Sequence, residues 1–200
     1  MLIQIVLFQG FDELDVIAPF EVLKNAAAAG ANLQVELVTL DDTQEITAAH
    51  GLQVQAEGHL GNGPRPDILI VPGGGWNNHA PQGARAEAQR GELPSAIARL
   101  HKEGTIIASV CTGGMLVAAA GLNVHRPAIT HSGAVEELRA TGATIINARV
   151  VDDGDLISAG GVTSGLDLAL WLVERFFGAA LALKIERQLE YERRGTVWHR

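Results

Sequence analysis

An α/β fold built on a mostly parallel sheet, covered by helices on both faces, is predicted by three observations on this 200-residue chain. Short β-branched runs alternate with longer amphipathic stretches, which is the rhythm of βαβ units. The strand-like runs are almost continuously apolar rather than alternating, as expected of strands buried on both faces. Two of them run directly into turns of small residues, Pro72-Gly73-Gly74-Gly75 and Cys111-Thr112-Gly113-Gly114. The apolar fraction of 47% supplies the core for one domain spanning residues 1–200.

The elements follow in order. Leu2 to Phe8 reads as the first strand, and Glu13 to Ala29 as a helix with Asp12 as N-cap and Gly30 as its stop. Leu33 to Leu40 is a second strand, and Ile46 to Leu60 a short hairpin or edge excursion. Asp67 to Val71 is a buried strand ending at the glycine turn. Gly83 to Glu103 is helical with breaks near Gly91 and Pro94, and Thr105 to Val110 is the strand that stops at Cys111. Thr112 to Ala120 turns helical, Ala128 to Thr130 is a short strand and His131 to Ala140 a helix. Ile145 to Val151 and Leu156 to Ala159 form a hairpin around Asp153-Gly154, and two helices follow, Ser164 to Phe177 and Ala179 to Tyr191, separated by Gly178.

Fifteen basic against twenty-three acidic residues give a net charge of −8, and no basic stripe is available to hold a phosphate backbone, so nucleic acid is not an expected partner. The first apolar run breaks at Gln9-Gly10, too short for a membrane span or a signal segment; a soluble, cytoplasmic protein without membrane attachment is expected. The spacing of His50, His59 and His79 fits no metal motif, and neither a metal nor another cofactor is expected.

The chain has one cysteine, Cys111, so no internal disulfide is possible and either packing or reactivity must account for it. Its place between a buried strand and a helix opened by glycines is that of a nucleophile elbow, where a sharp turn lifts the side chain at the carboxyl edge of the sheet. The following helix is expected to lower the thiol pKa. Backbone N–H groups of Gly74 and Gly75, together with that of Thr112, are candidates for holding developing negative charge, with Trp76 capping the pocket and His131 lining it. Asp15 is ambiguous: three residues after the N-cap, it can complete a capping box instead of serving a site. Asp67, the Asp152-Asp153-Asp155 cluster and Arg193-Arg194 read as turn and surface charges.

Val71-Pro72-Gly73-Gly74 and Ser109-Val110-Cys111-Thr112-Gly113 resemble the ThiJ/PfpI superfamily, which is similar in fold to flavodoxins and class I glutamine amidotransferases. Leu14-Asp15-Val16-Ile17-Ala18-Pro19-Phe20-Glu21-Val22, Thr130-His131, Gly160-Gly161-Val162-Thr163-Ser164-Gly165-Leu166-Asp167 and Gln188-Leu189-Glu190-Tyr191 extend the resemblance to the branch of isonitrile hydratases and the ligand domains of AraC-type regulators. The resemblance implies a flavodoxin-like three-layer sandwich with Cys111 as nucleophile and Asp15 hydrogen-bonded to its sulfur, which reverses the capping reading of Asp15. It also implies a cofactor-independent enzyme of the hydratase/lyase class acting on a small molecule, and a homodimer, whose patch is expected to include Val16, Phe20 and the terminal helices. Thr112 stands where protease-like members have histidine, which disfavours amidase or peptidase chemistry. Ser132 replaces the aromatic that commonly follows the Thr-His pair. A glyoxalase or deglycase acting on reactive carbonyls, and a free-standing ligand or oxidation sensor, are the alternatives.

Overall fold

The computed structural model describes residues 1–42 and 44–200. In chain order, β1 (Leu2–Leu7) leads into α1 (Glu13–Ala28), β2 (Gln34–Thr39), the hairpin β3 (Glu45–Thr47) and β4 (Gln53–Gln55), and β5 (Gly58–His59). Then come β6 (Ile68–Val71), α2 (Ala84–Arg90), α3 (Glu92–Lys102), β7 (Ile106–Ser109) and α4 (Gly113–Ala119). Next are β8 (Pro127–Ala128), a 3-10 turn at Ser132–Ala134, α5 (Val135–Ala140), β9 (Thr144–Ile145), β10 (Val150–Asp152) and β11 (Leu156–Ala159). The chain finishes with α6 (Ser164–Phe177), α7 (Ala179–Gln188) and β12 (Trp198–His199).

Eight strands form one sheet in the order β12-β10-β11-β7-β6-β1-β2-β5. Every neighbouring pair is parallel except β10 with β11, the predicted hairpin. The strands are apolar on both faces because helices cover both: α1, α6 and α7 pack together as one layer, and α2, α3 and α4 as the other. This is the predicted flavodoxin-like α/β architecture. The register sets Val71 of β6 and Ser158 of β11 on either side of Ser109 at the end of β7. Cys111, two residues further on, therefore emerges between the loops that follow β6 and β11.

Several local expectations are corrected. Only Gly91, at φ +81°, breaks the 83–103 stretch; Pro94 sits in the first turn of α3, where no backbone N–H is needed. β10 starts at Val150, because Thr144–Ile145 pairs with Pro127–Ala128 in a separate two-stranded sheet. Residues 132–140 divide into a 3-10 turn and α5, and α7 stops at Gln188. β12 was not expected; its two residues join the sheet at β10.

The charge clusters differ most from the surface reading. Asp152 is buried, accepting hydrogen bonds from Trp171 Nε1 at 2.7 Å and Arg175 Nη1 at 2.8 Å, and buried Asp153 accepts one from Arg126 Nε at 2.6 Å. Arg193 bridges Glu174 and Glu186 instead of standing in solvent. Val16 is fully buried, so it contributes nothing to an exposed apolar patch; Leu14, Leu52, Val124 and Leu183 are the large exposed apolar side chains. No helix among the described residues is long and apolar enough to cross a membrane.

Candidate active site

Cys111 has φ +56°, a left-handed conformation that costs a non-glycine residue about 1 kcal/mol or more. The neighbours on each side hold it there. Val110 N–H donates to Val71 O at 3.0 Å, Cys111 N–H to Gly160 O at 2.9 Å, and Thr130 Oγ1 donates to Cys111 O at 2.8 Å. Only small residues fit beneath this turn. A Cβ on Gly73 would lie 2.4 Å from Thr112 Oγ1, and one on Gly113 would lie 2.1 Å from Val71 O. The two motifs are glycine-rich because their backbones touch.

Asp15, on the first turn of α1, is wholly buried beneath the same elbow. It does not close a capping box. The Asp12 N–H that such a box would engage donates to Gly73 O at 2.9 Å, and Asp12 caps the helix through Leu14 N–H at 3.2 Å. Asp15 Oδ2 accepts from Gly73 N–H at 2.9 Å, whereas Oδ1 has no partner that satisfies hydrogen-bond geometry. Burial, reinforced by the charge of Asp12, raises the Asp15 carboxyl to about 8; the Gly73 N–H and the Cys111 thiol pull the other way. The carboxyl is thus an acid at neutral pH and faces the thiol.

The thiol departs from the expected depression. Burial, followed by the charge of Asp15, raises it above the ordinary thiol value, to about 12, and outweighs the backbone N–H groups of Val162 and Thr112 that support the sulfur. Cys111 is 5% exposed, and the loss of thiolate solvation outweighs the favourable end of the short α4. At neutral pH the thiol therefore rests protonated beside a protonated Asp15 carboxyl, and the two groups titrate as a coupled pair.

The remaining predicted residues fall into three groups. Gly74 N–H donates to Thr112 Oγ1 at 3.0 Å, so it fixes that hydroxyl; Gly75, at φ +68°, continues the turn. Trp76 is buried and clamped: Arg85 stacks 4.5 Å over its ring and donates to its carbonyl, while its Nε1–H donates to Glu137 Oε2 at 3.2 Å. His131 is partly exposed and lines a cleft of about 680 Å³ with Thr130, Gly160, Gly161 and Val162. Trp76 does not line that cleft. His131 Nδ1 accepts the Gly133 N–H at 3.0 Å, which in the neutral ring leaves the proton on Nε2, and Asn77 Nδ2 also lies 3.0 Å from Nδ1.

Val162 lies in the motif at residues 160–167, where its side chain carries no sign of a role. It stands at φ +40° in the loop after β11, its N–H acts to lower the pKa of the thiol, and the sequence signal nearest to it is the Gly160-Gly161 pair. Thr130 was likewise a motif residue without a role until its bond to the elbow carbonyl was seen.

A strained cysteine at the carboxyl edge of a parallel sheet, with a buried acid beneath it, defines a class of α/β proteins built around a nucleophile elbow. The chain belongs to the DJ-1/PfpI family, whose model matches residues 1–175. It is 34% identical over 185 residues to an isonitrile hydratase of Pseudomonas putida, covering 92% of this chain and 76% of that protein. A deglycase of Pyrococcus horikoshii is 28% identical over 167 residues, covering 82% and 90%. The crystal structure of a ThiJ/PfpI family protein from Pseudomonas syringae superposes with a TM-score of 0.84 at 26% identity, covering 97% of this chain and 76% of that one.

Proposed function

We propose that the chain is a cofactor-independent hydratase that converts an isonitrile to an N-substituted formamide through Cys111. The observation that carries this reading is the buried Asp15 carboxyl, protonated at neutral pH and with Oδ1 unpartnered, beside the thiol of the elbow. The similarity to an isonitrile hydratase supports the choice of substrate class.

The terminal carbon of an isonitrile accepts a proton and is then attacked by sulfur. Asp15 delivers its proton to that carbon, the Cys111 sulfur forms the new C–S bond, and the thiol proton passes to the Asp15 carboxylate. The product is a thioimidate, R–N=CH–S–Cys111, and Asp15 is again an acid. Water adds to the thioimidate carbon, the C–S bond breaks, sulfur recovers a proton, and R–NH–CHO leaves. The N–H groups of Val162 and Thr112 stabilise the sulfur while it carries charge, and Gly75 and the Thr112 hydroxyl, itself oriented by Gly74, position the incoming water. His131, with Nε2–H as donor, lines the approach, and Trp76 holds the loop after β6 in place. No step needs a metal or a cofactor.

Incubation with cyclohexyl isocyanide should yield N-cyclohexylformamide, and Cys111→Ala should lose at least about a thousandfold in turnover. Undiminished turnover by the variant would remove Cys111 from the mechanism. The deglycase relative supports a second reading, attack of the same thiol on a reactive carbonyl. Lactate formed from methylglyoxal by the wild type, without formamide from the isonitrile, would favour it.

A further inference from the structure

The cleft is bounded towards the elbow by Thr130 and Gly160, which hydrogen-bond the Cys111 backbone, while Cys111 and Asp15 do not line it themselves; its other side is closed by residues far from the elbow in sequence, Asn147, Arg149, Gly195 and Thr196. Two motifs without a catalytic role, the one ending in Asp167 and the one ending in Tyr191, meet behind this wall. Asp167, 2% exposed on α6, accepts from Arg149 Nε at 2.8 Å and Nη2 at 2.6 Å, from Tyr191 Oη–H at 3.0 Å and from Arg194 N–H at 2.9 Å. One buried carboxylate thereby ties the strand-entry arginine and the C-terminal segment to the same helix. Glu190, at φ +49°, makes the turn that returns the chain from α7 to this anchor, and β12 secures its far end on β10.

We infer that the C-terminal segment is a specificity wall of the active site, positioned by Asp167, and that it selects substrates carrying a neutral hydrogen-bond acceptor on the group attached to the reacting carbon. This rests on the hydratase reading for the reaction itself. The wall is polar: Thr196 and Asn147 are exposed donors. It presents little net charge, because the one cation in it, Arg149, is met by Asp167. A carboxylate on the substrate would gain no unpaired partner there, whereas an ester or amide oxygen would gain a hydrogen bond from the Thr196 hydroxyl. Ile129, Val135 and Val162 offer the remaining apolar surface for the carbon skeleton.

The test compares methyl isocyanoacetate, which carries an ester acceptor, with cyclohexyl isocyanide, which has none, in wild type, Thr196→Val and Asp167→Asn. Thr196→Val keeps the side-chain shape and removes the donor, so the ratio of kcat/KM for the ester over the cyclohexyl compound should fall about two- to tenfold, through KM and not kcat. Asp167→Asn should lower the same ratio by freeing the whole segment. An unchanged ratio in Thr196→Val would overturn the selectivity. If the wild type hydrates neither compound, the hydratase reading fails, and the wall is judged by alkylation of Cys111 with iodoacetamide. Asp167→Asn, with its circular dichroism unchanged, should then react several-fold faster than wild type, and equal rates would overturn the wall. Should Asp167→Asn fail to fold, Tyr191→Phe, which removes only the hydroxyl bound to Asp167, takes its place in both measurements.

Discussion

Asp15 and Asp167 are both buried acids, yet their surroundings are opposites. Asp167 has an arginine, a tyrosine hydroxyl and a backbone N–H directed at it. Asp15 has one backbone N–H, a second carboxylate nearby and a thiol, and one of its oxygens has no partner. A buried charge that is paired and hydrogen-bonded organises structure, whereas a buried acid left short of partners holds its proton and is available for transfer. The fold thus separates an anchoring carboxyl from one that holds its proton by what it packs around each, not by depth of burial.

The pH dependence of stability sharpens this contrast most. An unfolded Asp15 ionises near 3.8 and the folded one near 8, so between those values the native state binds the extra proton. Its contribution to stability is full below about pH 4 and is lost as pH rises through about 8, a fall of roughly 6 kcal/mol at this site. Urea unfolding of the wild type against pH should show that slope, and Asp15→Asn should flatten it; an unchanged slope in the variant would mean that the carboxyl is ionised in the fold. Removing the anchor should act differently. Asp167→Asn leaves Arg149 without its buried partner and should destabilise the protein by about 3 kcal/mol at neutral pH, read as a lower urea midpoint. A cost under about 0.5 kcal/mol would make Asp167 a bystander. The smallest effect concerns the elbow. Because Cys111 is left-handed, Cys111→Gly should be more stable than Cys111→Ala by about 1 kcal/mol in the same assay, and a lower stability of the glycine variant would argue against strain at the elbow.

What the sequence made legible follows the same division. The strands β1, β6 and β7, the helix α1 and the elbow were readable because apolar runs and glycine turns are local signals, and Cys111 stood out as the single cysteine at the end of one such run. Asp15 was not readable from its neighbours, since an acid in the first turn of a helix looks the same whether it closes a capping box or lies buried under a distant loop. The difference lies in Gly73, 58 residues away, which only the sheet order brings beneath α1; the family resemblance supplied what the local pattern lacked. The thiol pKa was misjudged because a helix terminus is visible in sequence while burial of the sulfur is not. Asp152, Asp153 and Arg193 read as surface charges in the sequence for a related reason, as their partners Arg175, Arg126, Glu174 and Glu186 come from other elements. Val162 acts through a backbone N–H, which leaves no side-chain signature at all.

The most direct test of the account is the turnover of cyclohexyl isocyanide by wild type and Asp15→Asn from about pH 5 to about pH 10, with circular dichroism confirming that both are folded. If Asp15 is the proton relay of Cys111, the wild-type kcat holds at low pH and falls as pH passes about 8, and the asparagine variant is slower by about a hundredfold to ten-thousandfold throughout. An asparagine variant that turns over at the wild-type rate, with the same pH profile, would contradict the relay and return Asp15 to a structural role.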